Sequence, residues 1–277
     1  MSAVMIVKQS GDKEPYDENK IRASATRVGV PENLLNKMIG EIRARLYDGI
    51  TTTDIFTIIK SFLSQSEAPY LATKYNLKTA LSQLGPSGYP FEQYVAKLLT
   101  ATGYQTRTNE IWQGECVTHE VDVVAIKNGV TYAIEAKFHS SPNQRTDVRI
   151  TLYIRARYED LLANWQGEGE LKPWIVTNTR FSTDALKYAR CRDIRVTSWG
   201  FPEGKGIMDI IESTGLHPLT ILESLTLGEK KQLIALGAVT CVDVLSPKYQ
   251  QVLNPVKRAH VLKEATGVCQ HLASTST

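Results

Sequence analysis

His119-Glu120-Val121-Asp122-Val123-Val124-Ala125-Ile126-Lys127, then Asn128-Gly129, then Val130-Thr131-Tyr132-Ala133-Ile134-Glu135-Ala136-Lys137 carries the strongest local structural signal in the chain. Two alternating runs rich in β-branched residues flank Asn-Gly, the dipeptide that most favours a two-residue type I′ turn, because both central residues take positive φ. The stretch therefore predicts a β-hairpin closed by Lys127 and Val130. Counting outward from that pair sets Asp122 opposite Glu135 and Glu120 opposite Lys137. The two-residue period of strands puts all four on one face.

Two carboxylates directly opposite on a hairpin repel each other and destabilise it. A cation resolves the conflict, and Mg²⁺ (or Mn²⁺) suits carboxylate oxygens while keeping waters that substrate phosphates can replace. A lysine two residues beyond one ligand shares its face, where it can steer a water or stabilise charge on a phosphorane. An ordinary salt bridge between Glu120 and Lys137 on a solvated face would explain those two residues equally well. It would not explain Asp122 against Glu135.

Asp122, a twelve-residue gap, then Glu135-Ala136-Lys137 resembles the PD-(D/E)xK nuclease signature in its Mrr-like restriction-endonuclease form, with Val121 where many members carry proline. The resemblance implies a restriction-endonuclease-like fold and metal-dependent DNA hydrolysis. It implies Asp122 and Glu135 as metal ligands and Lys137 as the residue that orients or activates the attacking water. Glu92, at the start of the preceding helix, stands where such nucleases often place an active-site glutamate, although a helix-start glutamate also complements the dipole. Glu120 is a supporting candidate.

The chain's 277 residues suffice for two or three domains. A formal charge of +3 is too small to announce nucleic-acid binding, so any basic surface must be local. Cys116, Cys191, Cys241 and Cys269 form no Cys-x-x-Cys pair, which disfavours a zinc site or a disulfide framework and fits a reducing cytoplasm. The N-terminus lacks a signal-peptide run and no stretch is apolar enough for a membrane span. A cytoplasmic protein without membrane association is the expectation.

Val4–Val7 predicts a strand, Gly11–Glu14 a turn, and Asp17 the N-cap of a helix from Glu18. Helices follow over about 32–47, 53–64 and 67–83, the last two with Thr51-x-x-Asp54 and Ser64-x-x-Glu67 as capping boxes. Val7-Lys8, Gly11, Pro15-Tyr16-Asp17 and Lys20-Ile21 ahead of three helices are similar to the ATP-cone, the nucleotide-sensing domain of ribonucleotide reductases and of their transcriptional repressor. That likeness spans roughly residues 4–82. It implies ATP or dATP as a regulator contacted by Val7, Lys8 and Lys20, with Gln9 departing from the family's usual arginine. A lysine is a good point charge for polyphosphate. The chain has no Walker A loop, since Gly200 to Lys205 has the wrong spacing, so binding without hydrolysis is expected.

Leu84-Gly85-Pro86-Ser87-Gly88-Tyr89-Pro90 is a breaker cluster and the expected boundary. Beyond it the pattern predicts a helix over 91–102, a strand over 104–112, the hairpin, a helix over about 151–165, a strand over 174–177, a helix over 183–191 and a strand over 194–198. Arg145, Arg149, Arg155 and Arg157 suit phosphates, though neighbouring acids dilute them. Past Gly200 the pattern is helical, with capping boxes at Thr226-x-x-Glu229 and Thr240-x-x-Asp243. Leu233-x-x-Leu236-Gly237-x-Val239 faintly resembles a helix-hairpin-helix element, and a plain helical packing subdomain is the preferred reading. The Ser/Thr-rich end after Leu272 is expected to fray.

The expected fold is therefore α/β (α+β). It comprises a mostly helical ATP-cone over 1–84, a mixed-sheet restriction-endonuclease-like core over 85–200, and a helical subdomain over 201–277. The expected function is a Mg²⁺-dependent DNA endonuclease regulated by ATP or dATP, whose partners are DNA, nucleotide and copies of itself as a dimer or higher homo-oligomer. A nucleotide-responsive DNA-binding regulator without cleavage is the competing reading. A metalloprotease site at His119-Glu120 is excluded, because no histidine stands three residues after Glu120.

Overall fold

The structure, a computed structural model, describes residues 4–8, 11–85 and 87–273 and divides into two compact units, Met1–Leu77 and Lys78–Thr277. Gln9, Pro86 and Ser274–Thr277 lie outside the described residues.

In the first unit β1 (Met5–Val7) pairs antiparallel with β2 (Lys13–Pro15). The expected turn is shorter than 11–14: Gly11, at φ +88°, makes the bend, and Lys13 to Pro15 already pair. Asp17 caps α1 (Glu18–Arg27) by accepting the Asn19 N–H at 2.9 Å. Next come α2 (Glu32–Arg45) and β3 (Ile50–Thr51), which lies parallel to β1. A two-residue strand has no periodicity to read, so sequence missed it. Thr51 and Asp54 close a capping box on α3 (Thr52–Ser64). The core joins Leu34, Leu35, Met38, Ile39 and Ile42 of α2 to Ile55, Ile59 and Leu63 of α3. α4 (Tyr70–Leu81) starts three residues later than expected. The Ser64 hydroxyl donates to Ser61 O at 2.9 Å instead of capping, and Pro69 restricts the residue before it.

The division after Leu77 falls inside α4, ahead of the breaker cluster expected as the boundary. The end of α4 belongs with the second unit, where the Thr220 hydroxyl donates to Ala80 O at 2.6 Å.

The second unit opens with α5 (Tyr89–Ala101), whose Phe91, Tyr94, Val95, Leu98 and Leu99 are buried. β4 (Gln105–Gln113), β5 (Thr118–Lys127) and β6 (Val130–Lys137) form an antiparallel meander. Asn128 and Gly129 take φ of 53° and 75°, as a type I′ turn requires, and Lys127 pairs with Val130 as the sequence predicts. After β7 (Arg145–Thr146), α6 (Val148–Ala163) crosses back to β8 (Glu170–Thr177), which runs parallel to β6. The Asp147 side chain accepts the Arg149 N–H, so a cap overrules the strand-like alternation at 148–152. β9 (Arg180–Phe181) pairs with β7; α7 (Thr183–Cys191) then leads to β10 (Arg195–Thr197), parallel to β8. The five-stranded sheet has the order β10-β8-β6-β5-β4. This mixed sheet with α5 and α6 is the α/β core the sequence predicts.

The rest is α8 (Ile207–Thr214), a 3₁₀ turn at Leu219–Ile221, α9 (Leu227–Ala235), α10 (Cys241–Val244), α11 (Pro247–Gln250) and α12 (Arg258–Ala273). Both expected capping boxes form, and Gly237 takes φ +91° between α9 and α10. These helices belong to the same compact unit as the sheet. Lys97 of α5 ion-pairs with Asp243, and the Tyr94 hydroxyl donates to Leu216 O at 2.7 Å.

Candidate active site

The hairpin register holds from Lys127–Val130 out to Val123–Ile134, and there the β5–β6 ladder stops. The Ala136 N–H donates to Asp122 Oδ2 at 2.8 Å, so a side chain takes the donor that regular pairing would use. Beyond this point β5 pairs with β4, out to Thr118–Gln113, while β6 continues beside β8 to Lys137–Thr177. Asp122 and Glu135 therefore sit at a fork where two strands part. The expected pairing of Glu120 with Lys137 does not form, because the fork separates their strands.

Asn109 opens the fork's other side. It lies between the pairs Thr108–Val123 and Glu110–Val121, at φ +56°. Its Nδ2 donates to Glu92 Oε2 at 3.0 Å, with a longer contact of 3.5 Å to Glu120 Oε1. Pro90 in the first turn of α5 starts that helix where Glu92 reaches this amide. Sequence reasoning missed Asn109. An asparagine inside a strand is unusual enough to have flagged it.

Burial and then the adjacent Glu135 carboxylate push the Asp122 pKa up to about 7, against the Ala136 N–H and the more distant Arg157, which favour the anion. Burial also raises Glu92, assisted by Glu120 and Glu135 and opposed by the Asn109 amide. One guanidinium answers this negative charge. Arg157 of α6 donates from Nη1 to Glu135 Oε2 at 2.9 Å, with both side chains largely buried, and it hydrogen-bonds the Tyr153 hydroxyl. Of the arginines expected to meet phosphates, Arg149 pairs with Asp147, Arg155 with Glu159, and Arg157 with Glu135.

Lys137 ends β6, and its side-chain amine makes no hydrogen bond or ion pair among the described residues. The backbone beyond it is fixed: the His139 N–H donates to Asn178 Oδ1 at 2.8 Å and Asn178 Nδ2 returns to His139 O at 2.7 Å. The His139 ring meets the Thr146 hydroxyl at 2.9 Å. Burial, and then the Lys137 charge, lower its pKa against Gln144 and Asp147. His119 pairs with Asp160 at 2.7 Å, and Asp160 also accepts the Cys116 and Val117 N–H groups. Those amides and His119 hold Asp160 down to about 2.

The donor set fits a divalent ion. Asp122 and Glu135 are hard oxygen ligands, and burial beside a like charge leaves Asp122 reluctant to ionise without a nearby cation. Among the described residues, three candidate ligand atoms approach within 4.8 Å of one another at Glu115, Cys116 and Asp160, and Glu92 does not close such a trio with Asp122 and Glu135. The arrangement therefore offers a carboxylate pair with Glu92 beside it.

In the first unit, Glu14 bridges Lys8 at 2.7 Å and Lys20 at 3.1 Å. Glu14 and Lys20 line a cavity of about 220 Å³ with Ile6, Ser24, Phe56 and Tyr75. Val7 and Lys8 do not line that cavity.

Three family descriptions match successive parts of the chain: an ATP cone domain over residues 4–79, a restriction endonuclease over 85–199, and an AF1548-like C-terminal region over 217–269. An uncharacterized protein of Archaeoglobus fulgidus is 40% identical over 178 residues, covering 63% of this chain and 99% of that protein. The crystal structure of a protein of unknown function, AF1548, is also 40% identical, with a TM-score of 0.57 over 67% of this chain and all of that one. The MspJI restriction endonuclease, solved with a 27-mer oligonucleotide, is 14% identical at a TM-score of 0.35, covering 72% of this chain and 40% of that one. Among the described residues no helix is long and apolar enough to cross a membrane.

Proposed function

This chain belongs to the family of the AF1548 protein, with an ATP cone domain ahead of a restriction endonuclease domain, and we propose that it is a Mg²⁺-dependent DNA endonuclease regulated by ATP or dATP. The observation that carries the proposal is the fork: Asp122 and Glu135 at the parting of β5 and β6, with Lys137 at the end of the same strand. Asp122 and Glu135 would hold the ion, which supplies Lewis-acid charge to a phosphodiester. Lys137, whose amine has no hydrogen-bond or ion-pair partner among the described residues, orients the attacking water and offsets charge developing on phosphorus. Glu92, fixed by Asn109, hydrogen-bonds water at the edge of the site, and Glu120 supports the same amide. In the cone, Lys8 and Lys20 receive the nucleotide phosphates beside Val7, and binding there alters cleavage or assembly into a homo-oligomer.

The test is cleavage of plasmid DNA with Mg²⁺ by the full chain. Wild type should nick or linearise it, and Asp122→Ala and Lys137→Ala should not. Equal cleavage by both variants would remove these residues from the mechanism. The Arg157–Glu135 ion pair favours a second reading, a nucleotide-responsive DNA binder without cleavage, because a guanidinium already answers part of the charge that a metal would. DNA retardation in gels with no cleavage under any divalent ion would select it.

A further inference from the structure

The second unit contains a groove of about 1000 Å³ between the start of α5, the loop after β6 and α9. It lies beside Glu92: a Cβ built on Gly88, between the lining residues Ser87 and Tyr89, would meet Glu92 Oε1 at 3.0 Å. Gln93 adjoins Glu92 and Ser140 follows Lys137 by three residues, while the opposite wall is Leu227, Lys231 and Leu236. The groove is apolar for most of its lining and open to solvent: Tyr89 is 51% exposed, Leu227 67% and Leu236 46%. Among the described residues its lining holds two lysines, Lys230 and Lys231, and neither aspartate nor glutamate.

We propose that this groove receives a single-stranded DNA segment flanking the scissile phosphate, stacking a base on Tyr89 and placing a phosphate at Lys231. The inference rests on the nuclease reading of the adjacent carboxylates and adds a preference for partly unpaired substrates. Duplex DNA presents phosphates outward and keeps its base faces stacked, so it would meet this surface through charge alone, and two lysines make a weak phosphate track. An unpaired strand offers both parts. Its bases cover exposed aromatic and aliphatic side chains while its backbone follows the cations, the combination that single-strand channels use. Lys230 contributes charge while its Nζ donates to Thr220 O at 2.8 Å, and the exposed Lys231 is the phosphate contact.

The experiment measures fluorescence anisotropy of the full chain in EDTA with a short blunt duplex and the same duplex carrying a single-stranded tail. The tail should raise affinity roughly tenfold or more, and Tyr89→Ala should lower affinity for tailed DNA roughly five- to hundredfold. Tyr89 is half exposed, so the substitution spares the core. Lys231→Ala should flatten the salt dependence by about 0.7 in log–log slope. In wild type, a halogenated base in the tail should photo-crosslink to Tyr89. Equal affinity for blunt and tailed DNA, or a tail preference that survives both substitutions, overturns the proposal. Failure here and failure of the nuclease reading separate cleanly. Tail-dependent binding through Tyr89 without Mg²⁺-dependent cleavage keeps the groove and removes the nuclease. Cleavage of blunt DNA with no tail preference does the reverse.

Discussion

Replacing Asp122 by asparagine should stabilise the metal-free protein at alkaline pH. Burial and Glu135 hold the folded pKa at about 7, against an ordinary 3.8. A raised carboxyl pKa favours the folded state fully only below the ordinary value, and that advantage is lost as pH rises through 7. The complete penalty is about 4 kcal/mol above pH 7, of which about 3 kcal/mol develops between pH 5 and 8.5. These are ceilings, since Glu135 shares the proton and relaxation at the fork relieves the repulsion. About 1–3 kcal/mol is expected in practice, or roughly 3–8 °C in Tm for a unit of this size. Asparagine keeps an oxygen for the Ala136 N–H, so the fork survives. Thermal melts in EDTA at both pH values measure the difference. Asp122→Asn should melt above wild type at pH 8.5 by a margin that shrinks at pH 5, and Mg²⁺ should raise wild type alone. A variant less stable than wild type at pH 8.5, or an offset equal at both pH values, would refute the electrostatic argument.

Other perturbations have equally definite outcomes. Arg157→Met strips a buried carboxylate of its partner and should lower metal-free stability by about 2 kcal/mol, discounted from 3–5 for the part of the pair open to water. Denaturant melts should show that loss shrinking with Mg²⁺. Asn109→Gly keeps the positive-φ backbone and removes the amide, so DNA cleavage should fall roughly ten- to hundredfold with little change in Tm, whereas Asn109→Ala should also lose about 1 kcal/mol. Glu14→Gln frees Lys8 and Lys20 from their shared carboxylate, and calorimetry should show tighter ATP or dATP binding. Unchanged affinity would take those lysines out of the nucleotide site.

The features legible in sequence were the local ones. Asn128-Gly129 dictates its own φ angles, and from them comes the register that joins Val123 to Ile134. Thr51-Asp54, Thr226-Glu229 and Thr240-Asp243 each close a box within four residues. What stayed hidden depends on distant partners. The fork is made by a side-chain acceptor fourteen residues from its donor, Asp122 to Ala136, which no alternation rule anticipates. Arg157 meets Glu135 only because α6 returns across the sheet, and Asn178 fixes His139 from the end of a different strand. Ser64-x-x-Glu67 shows the converse: the spacing of a capping box is present, but its hydroxyl is turned to a carbonyl of α3.

Mn²⁺ binding in the absence of DNA, read from the electron paramagnetic resonance signal of free Mn²⁺, decides whether the fork's carboxylate pair is a metal site. Wild type should bind Mn²⁺ at a site lost in Asp122→Asn and in Glu135→Gln and retained in Lys137→Ala. Binding that persists unchanged in both carboxylate variants would contradict that assignment.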